Sequence, residues 1–370
     1  MGQVSIAKVK NDIRQSVISC FDNIGGLQSY LKPEDHVLLK PNINGTEAVT
    51  NIKLVEALLV LLKDIGIKQI VIAESTFGDA KMTDLCFSKT GYSDLAKKHQ
   101  TKLINLNKSR KVKVKVQNPL VVNEVSIAED VFEASVIINI PVMKVHYATA
   151  ITLSLKNLKG FLVGDEKRRF HEIGLDKAIV DLNNAIAPTL NLIDCTTCME
   201  KMGPRGGDTV NLNLLVAGCN RGEVDYVGSQ IMGFALNEVK HLQYFIESKG
   251  LKIDDIVIMG EKLKDVRRPF VKVSMNNSIP KSFQIYNTNA CSSCMNAFLL
   301  SCQFLENEDH ISADIFMGDK FSAFEINDRI KIAFGNCCKE DTISFNENII
   351  GCPPYPFALK KALEKRHKTN

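Results

Sequence analysis

Short runs of aliphatic and β-branched residues recur along the first two thirds of the chain, at Val37–Lys40, Gln69–Ala73, Val136–Ile140, Leu190–Ile193, Leu212–Val216 and Asp255–Met259. Each is brief, nearly continuous in apolar side chains and bounded by polar or turn residues, which is the pattern of a buried strand. Between them, Ile52–Leu62, Asp176–Ala187 and Asn237–Ser248 repeat their apolar positions at the helical period. Strands apolar on both faces and alternating with helices predict an α/β fold, a mainly parallel sheet with helices on both faces. Function in such folds gathers at the carboxyl ends of the strands.

After about residue 262 the pattern changes. Arg267–Ile285 reads as a short β connection, Met295–Leu305 as a helix, Ile330–Phe334 as a strand, and Phe357 to about His367 as an amphipathic helix before a polar tail. The predicted division is therefore residues 1–262 as an α/β domain and residues 263–370 as a small C-terminal α+β domain rich in cysteine.

Polar residues of specific types stand where the predicted strands end: Lys40-Pro41-Asn42, Glu74-Ser75-Thr76, Pro141 to His146, and Asp194-Cys195. They are expected to share one rim. Lys144, His146 and Lys156 are brought toward the start of a helix predicted over Thr149–Leu158, whose free N–H groups favour an anion. His171 falls in a basic loop, Arg168-Arg169-Phe170-His171-Glu172, suited to close over an anionic ligand. Histidine titrates nearest to neutral pH, so His146 or His171 is the expected proton donor. The catalytic candidates are thus Lys144, His146, Lys156 and His171, with Lys40, Asn42, Glu74, Ser75 and Asn157 binding a small anionic substrate. The competing reading pairs Lys144 and Lys156 with Glu74 and Glu166 as structural counter-charges. Cys195 and Cys198 border the same rim, as a redox dithiol, ligands of a second metal, or substrate-contacting thiols. Gly203-Pro204-Arg205-Gly206-Gly207 lacks the framing of a nucleotide loop, and no nucleotide cofactor is expected.

With 370 residues and 45% hydrophobic content the chain is long enough for two cores. A net charge of +4 with interspersed signs, and no tryptophan, argue against a nucleic-acid partner. The basic run Lys108–Val116 alternates lysine with valine, as the solvated face of an edge strand does. No uninterrupted apolar stretch approaches about 18 residues, and the N-terminus has no secretory pattern, so a cytoplasmic protein without membrane contact is expected.

Eleven cysteines in a reducing compartment are poor disulfide candidates. Cys20, Cys86 and Cys219 each stand alone in an apolar run and read as small buried hydrophobes. Six others crowd the C-terminal third. Cys291 and Cys294 form a Cys-x-x-Cys at a predicted helix start, and Cys352 is held by Pro353 and Pro354. Cys337 follows Gly335-Asn336 at the end of a predicted strand and makes the fourth. Cys302 lies eight residues beyond Cys294, about 12 Å along a helix axis, and with Cys338 is assigned to burial. Four thiolates on short turns suit a 4Fe–4S cluster, with a four-thiolate zinc site or a simple dithiol as rivals.

At Lys40-Pro41-Asn42, Glu74-Ser75, Lys144-x-His146, Thr152-Leu-Ser-Leu-Lys156-Asn157-x-x-Gly160 and His171, the sequence resembles the family of unknown function numbered 362, over roughly residues 35–230. The likeness extends to Glu200-x-x-Gly203-Pro204 and Val224-Asp225, while Cys195-Thr-Thr-Cys198 departs from it. What this resemblance implies is an anaerobic, cluster-bearing setting. Gly351-Cys352-Pro353-Pro354 also resembles the loop supplying a cluster cysteine in the small subunits of respiratory complex I and nickel–iron hydrogenases. The expected function is an iron–sulfur oxidoreductase acting on a small anion, served by an electron-donor protein. A lyase or isomerase using the cluster as a Lewis acid, and an electron carrier or maturation factor, are the alternatives.

Overall fold

The structure is a computed structural model, describing residues 2–273, 279–305, 311–319, 321, 328–338 and 343–367. Part of the predicted β connection, 274–278, and the end of the polar tail, 368–370, lie outside the described residues. The chain divides into two compact units, Met1–Val273 and Ser274–Asn370. Residues 263–273 belong with the first unit, beyond the boundary expected at 262, because Val266 and Phe270 join its core. Glu200 holds them there, pairing with Arg268 and accepting the Val271 N–H at 2.8 Å.

The first unit contains β1 (Gln3–Lys8), β2 (His36–Pro41), β3 (Gln69–Glu74), β4 (Lys102–Asn105), β5 (Lys111–Lys115), β6 (Glu124–Ala128), β7 (Val136–Ile140), β8 (Val142–His146), β9 (Ala150–Thr152), β10 (Leu190–Glu200), β11 (Asp208–Val210), β12 (Leu214–Gly218) and β13 (Val257–Gly260). Its main sheet has the order β13-β1-β12-β10-β7-β2-β3-β4. From β10 to β4 every neighbour is parallel, whereas β12 runs antiparallel to both β10 and β1. Because the inner strands are buried on both faces, each side carries its own core. Leu54, Leu58 and Leu62 of the helix Ile52–Asp64 pack with Val37 and Leu39 on one side. Ile179 and Leu182 of Leu175–Ala185, with Val224 and Val227 of Arg221–Ile231, pack on the other. The lysine–valine run forms β5, paired with β6 alone in a two-stranded ribbon.

The second unit is a four-stranded sheet, β14 (Phe283–Thr288), β15 (Ala313–Gly318), β16 (Ile330–Phe334) and β17 (Glu347–Ile349), parallel throughout and in sequence order. Helices Ser292–Gln303 and Phe357–His367 accompany it. The α+β character expected of this region therefore gives way to a parallel arrangement, since parallel neighbours need long crossovers such as the helix between β14 and β15. Cys20 and Cys86 are buried as expected, but Cys219 is exposed just beyond the end of β12.

Candidate functional site

The chain runs outward from β2 through β3 to β4, then returns to place β7 on the other flank of β2. Such a reversal of strand order is where open α/β sheets bind ligands, at the carboxyl ends of the two central strands. Lys40 and Asn139 sit opposite each other near those ends.

A ladder of buried amides ties the region together. The Asn139 amide donates to Asn191 Oδ1 at 3.0 Å, Asn157 donates to Asn139 Oδ1 at 2.8 Å, and Asn42 donates to Asn157 Oδ1 at 2.7 Å. Lys144 Nζ then donates to Asn42 Oδ1 at 2.7 Å and to the Ala48 carbonyl at 3.1 Å. Beside the ladder, Lys40 Nζ lies 2.6 Å from Glu74 Oε2, both side chains fully enclosed. A Cβ at Gly160 would fall 1.9 Å from Glu74 Oε1 and 2.6 Å from Lys40 Nζ, so only glycine lets the chain cross this ion pair. Glu74→Gln should therefore destabilise the fold by about 3–5 kcal/mol in denaturant titrations, because it leaves an enclosed ammonium without its carboxylate. A loss below about 1 kcal/mol would show the pair to be dispensable.

Around this floor stand Lys144, Lys156, Lys159 and Lys167. Lys156 Nζ reaches Thr152 Oγ1 at 3.3 Å, and Lys159 Nζ lies 2.8 Å from His171 Nε2. Lys167 donates to Ser75 Oγ and to the Thr76 carbonyl, while Ser75 Oγ donates to the Gly160 carbonyl. Burial brings Lys144, Lys159 and Lys167 down to about 7, helped by neighbouring cations: Arg205 and Lys40 at Lys144, Lys167 at Lys159, and Lys40 at Lys167. Lys156 is driven well below the ordinary lysine range by burial, then by Lys159 and Lys144.

The nine rim residues expected from sequence are thus brought together, but in unequal roles. Lys40, Asn42, Glu74 and Asn157 form the enclosed floor, and Ser75 holds Lys167. Glu74 is taken by Lys40, and Glu166 by Arg169 at 3.1 Å, so neither carboxylate pairs with Lys144 or Lys156. His146 and His171 are not proton donors near neutral pH. Burial, then the charges of the surrounding lysines, hold His146 well below the usual histidine range and His171 at about 2.

Two local expectations fail. The helix predicted over Thr149–Leu158 is instead β9, antiparallel to β8, followed by the single turn Ser154–Asn157. The first N–H groups of that turn are consumed by Asp225, whose carboxylate accepts from Ser154 N at 2.7 Å and Leu155 N at 2.8 Å, so they are not offered to a ligand. His171 stands in the helix Glu166–Glu172, not in a loop, with its ring edge-on to Phe77. Cys195 and Cys198 lie on β10 within the core, 0% and 1% exposed, and burial followed by the Cys198 side chain pushes the Cys195 thiol up. Buried and high in pKa, Cys195 is disfavoured as a thiolate.

Lys159, Lys167 and Arg205 were not among the residues expected from sequence. Lys159 and Lys167 carry one legible signal, density, since Lys156, Lys159, Lys167, Arg168 and Arg169 fall within a single short stretch, while Arg205 stands apart in the turn Gly203-Pro204-Arg205-Gly206-Gly207.

In the second unit, Cys291 follows β14 and caps the helix Ser292–Gln303, Cys337 follows β16, and Cys352 follows β17, so all three stand at the carboxyl edge of the parallel sheet. Cys294 is in the first helical turn, its N–H bonded to the Cys291 carbonyl at 3.1 Å. The hydrogen bond with the Cys291 side chain, then burial, then the proximity of Cys291, Cys352 and Cys337, drive the Cys294 thiol upward. The loops of Cys337 and Cys352 are laced by Asn336 N to Gly351 O at 3.0 Å and Gly351 N to Asn336 Oδ1 at 2.7 Å. Gly335 keeps a positive φ of 112°, and a Cβ there would lie 3.2 Å from Cys294 Sγ. The two remaining cysteines are occupied elsewhere. Cys302 packs in the core of this unit, and Cys338 Sγ donates to the Phe316 carbonyl at 3.1 Å. Among the described residues no three His, Cys, Asp or Glu side chains are drawn tightly enough to enclose a single ion. The four thiols share a neighbourhood, not a finished coordination sphere.

Residues 37–230 match the family described as domain of unknown function (DUF362). Over 228 residues the chain is 28% identical to the thylakoid-associated protein sll1697 of Synechocystis sp. (strain ATCC 27184 / PCC 6803 / Kazusa), an alignment covering 59% of this chain and 69% of that protein. Among the described residues no helix is long and apolar enough to cross a membrane.

Proposed function

The chain belongs to the DUF362 family, and from that premise we propose that it is an iron–sulfur oxidoreductase whose first unit binds a small anionic substrate and whose second unit carries a 4Fe–4S cluster. The observation that carries this reading is the gathering of Cys294 with Cys291, Cys352 and Cys337, while Cys302 and Cys338 are engaged elsewhere. A donor set of four thiols fits such a cluster and favours electron transfer over Lewis-acid chemistry, which needs an open iron position. When bound, the cluster supplies electrons one at a time.

The chain's own residues do the rest. Lys144, Lys156 and Lys159 hold the anion by charge-assisted hydrogen bonds, from a floor fixed by the asparagine ladder. Lys144, Lys159 and Lys167, poised at about 7, take the proton-donating role expected of the histidines. His171 orients the Lys159 amine through its Nε2. An electron-donor protein completes the scheme, and a cytoplasmic location remains part of the same proposal. Anaerobic purification followed by iron, sulfide and zinc analysis and electron paramagnetic resonance tests it. Iron and acid-labile sulfide should approach about four of each per chain. Stoichiometric zinc without iron after anaerobic reconstitution would overturn it.

A further inference from the structure

Among the described residues no carboxylate lies within ion-pair distance of Lys144, Lys156, Lys159 or Lys167. Glu74, the carboxylate whose charge acts on both Lys144 and Lys167, is already paired with Lys40. Asp176, the acid that Lys156 senses, lies 3.2 Å from His241 Nδ1. Arg205, reaching the Asn44 carbonyl at 3.2 Å, adds a further cation beside Lys144. His146 and His171 face the same lysines and are held neutral by them and by burial.

Resting on the anion-binding reading above, we infer that this site selects a compact anion carrying at least two negative charges, a phosphate-type oxyanion or a short dicarboxylate, and takes up protons as it binds it. Several enclosed amines without carboxylate partners are costly when charged, so in the empty protein they shed protons. A monovalent ion restores the balance of one amine. A divalent ion of similar size engages two or more, each forming a charge-assisted bond only once reprotonated. Affinity should therefore depend on ligand charge and fall as pH rises above about 7, the value to which Lys144, Lys159 and Lys167 are brought.

Inorganic sulfate is the probe, because it stays divalent from pH 5.5 to 9, with nitrate as the monovalent control and malonate as the dicarboxylate arm. Titration calorimetry in buffers of different ionisation enthalpy reads both affinity and proton uptake. At pH 6 sulfate or malonate should bind about tenfold or more tightly than nitrate, the gain of one further charge-assisted contact. The better of the two arms assigns the ligand to the oxyanion or the dicarboxylate class. At pH 8.5, 1.5 units above a pKa of about 7, sulfate should weaken by about 30-fold for each amine recruited, with net proton uptake that vanishes at pH 5.5. Lys159→Met should lessen both the affinity and the uptake. If nitrate and sulfate bind alike and without proton uptake, the charge inference fails while the anion site stands. If neither sulfate, malonate nor nitrate binds, the anion-binding reading itself is overturned.

Discussion

Lys156→Met is expected to lower anion affinity and turnover by about 10- to 150-fold, the loss of a charge-assisted hydrogen bond of about 1.5–3 kcal/mol. The same change should raise the stability of the ligand-free protein. Lys156 is 8% exposed, its amine meets Thr152 Oγ1 at a long 3.3 Å, and it is surrounded by Lys144 and Lys159. Methionine keeps most of the side-chain length while removing an enclosed polar group that is poorly satisfied, which should return about 1–3 kcal/mol. The pH dependence follows from the direction of the shift. A lysine whose folded pKa is depressed binds fewer protons than in the unfolded chain, so the wild-type protein gains stability as pH rises toward the ordinary lysine value and carries the full penalty below the folded one. The advantage of the methionine variant is therefore largest at low pH. Denaturant titration, anion binding and turnover measured on one preparation decide the matter. A variant that loses stability while keeping its affinity and turnover would make Lys156 a structural residue and displace the site from this rim. An electron carrier would instead keep its exchange with small-molecule reductants and lose only partner-dependent transfer.

The parts of this site that sequence revealed are those where a buried strand stops. Apolar runs such as Val37–Leu39 and Ile70–Ala73 end abruptly in Lys40 and Glu74, and a parallel sheet delivers such ends to one edge whatever the loops do, whereas Asn139, inside the run Val136–Ile140, carries no such signal. The β8–β9 hairpin was hidden by a mixed signal. Leu153, Leu155 and Leu158 can be read at helical spacing, yet Ile151, Leu153 and Leu155 alternate, and pairing of Lys144 with Thr152 settles the contest in favour of a strand. Tertiary partners distant in the chain were beyond any local pattern. Asp225 reaches the Ser154–Leu155 turn across 71 residues, and Lys167 meets Ser75 across 92. The histidines show the same limit: their residue type suggests titration near neutrality, but enclosure among cations decides otherwise. Cys337 and Cys338 are adjacent in sequence, and only the geometry after β16 separates them, turning Cys338 toward the Phe316 carbonyl.

That separation gives the second large effect. Cys291→Ser, Cys294→Ser, Cys337→Ser and Cys352→Ser should each abolish or greatly reduce iron and sulfide retained after anaerobic reconstitution, because a serine oxygen is a poor replacement for a soft thiolate ligand. Cys338→Ser should retain the wild-type content: its thiol already donates to a backbone carbonyl, a bond that a hydroxyl can also make. Cys302 calls for alanine, since it lies in the apolar core with Phe298, Ile315 and Leu363, where a hydroxyl would enter unpaired. Cys302→Ala should cost some stability through the small cavity left and keep its iron. Circular dichroism on each variant distinguishes lost ligation from lost fold. If Cys338→Ser loses iron as completely as Cys337→Ser while remaining folded, the ligand set is misassigned at that turn. If all four serine variants at Cys291, Cys294, Cys337 and Cys352 keep their iron, no cluster is held at the carboxyl edge of this sheet.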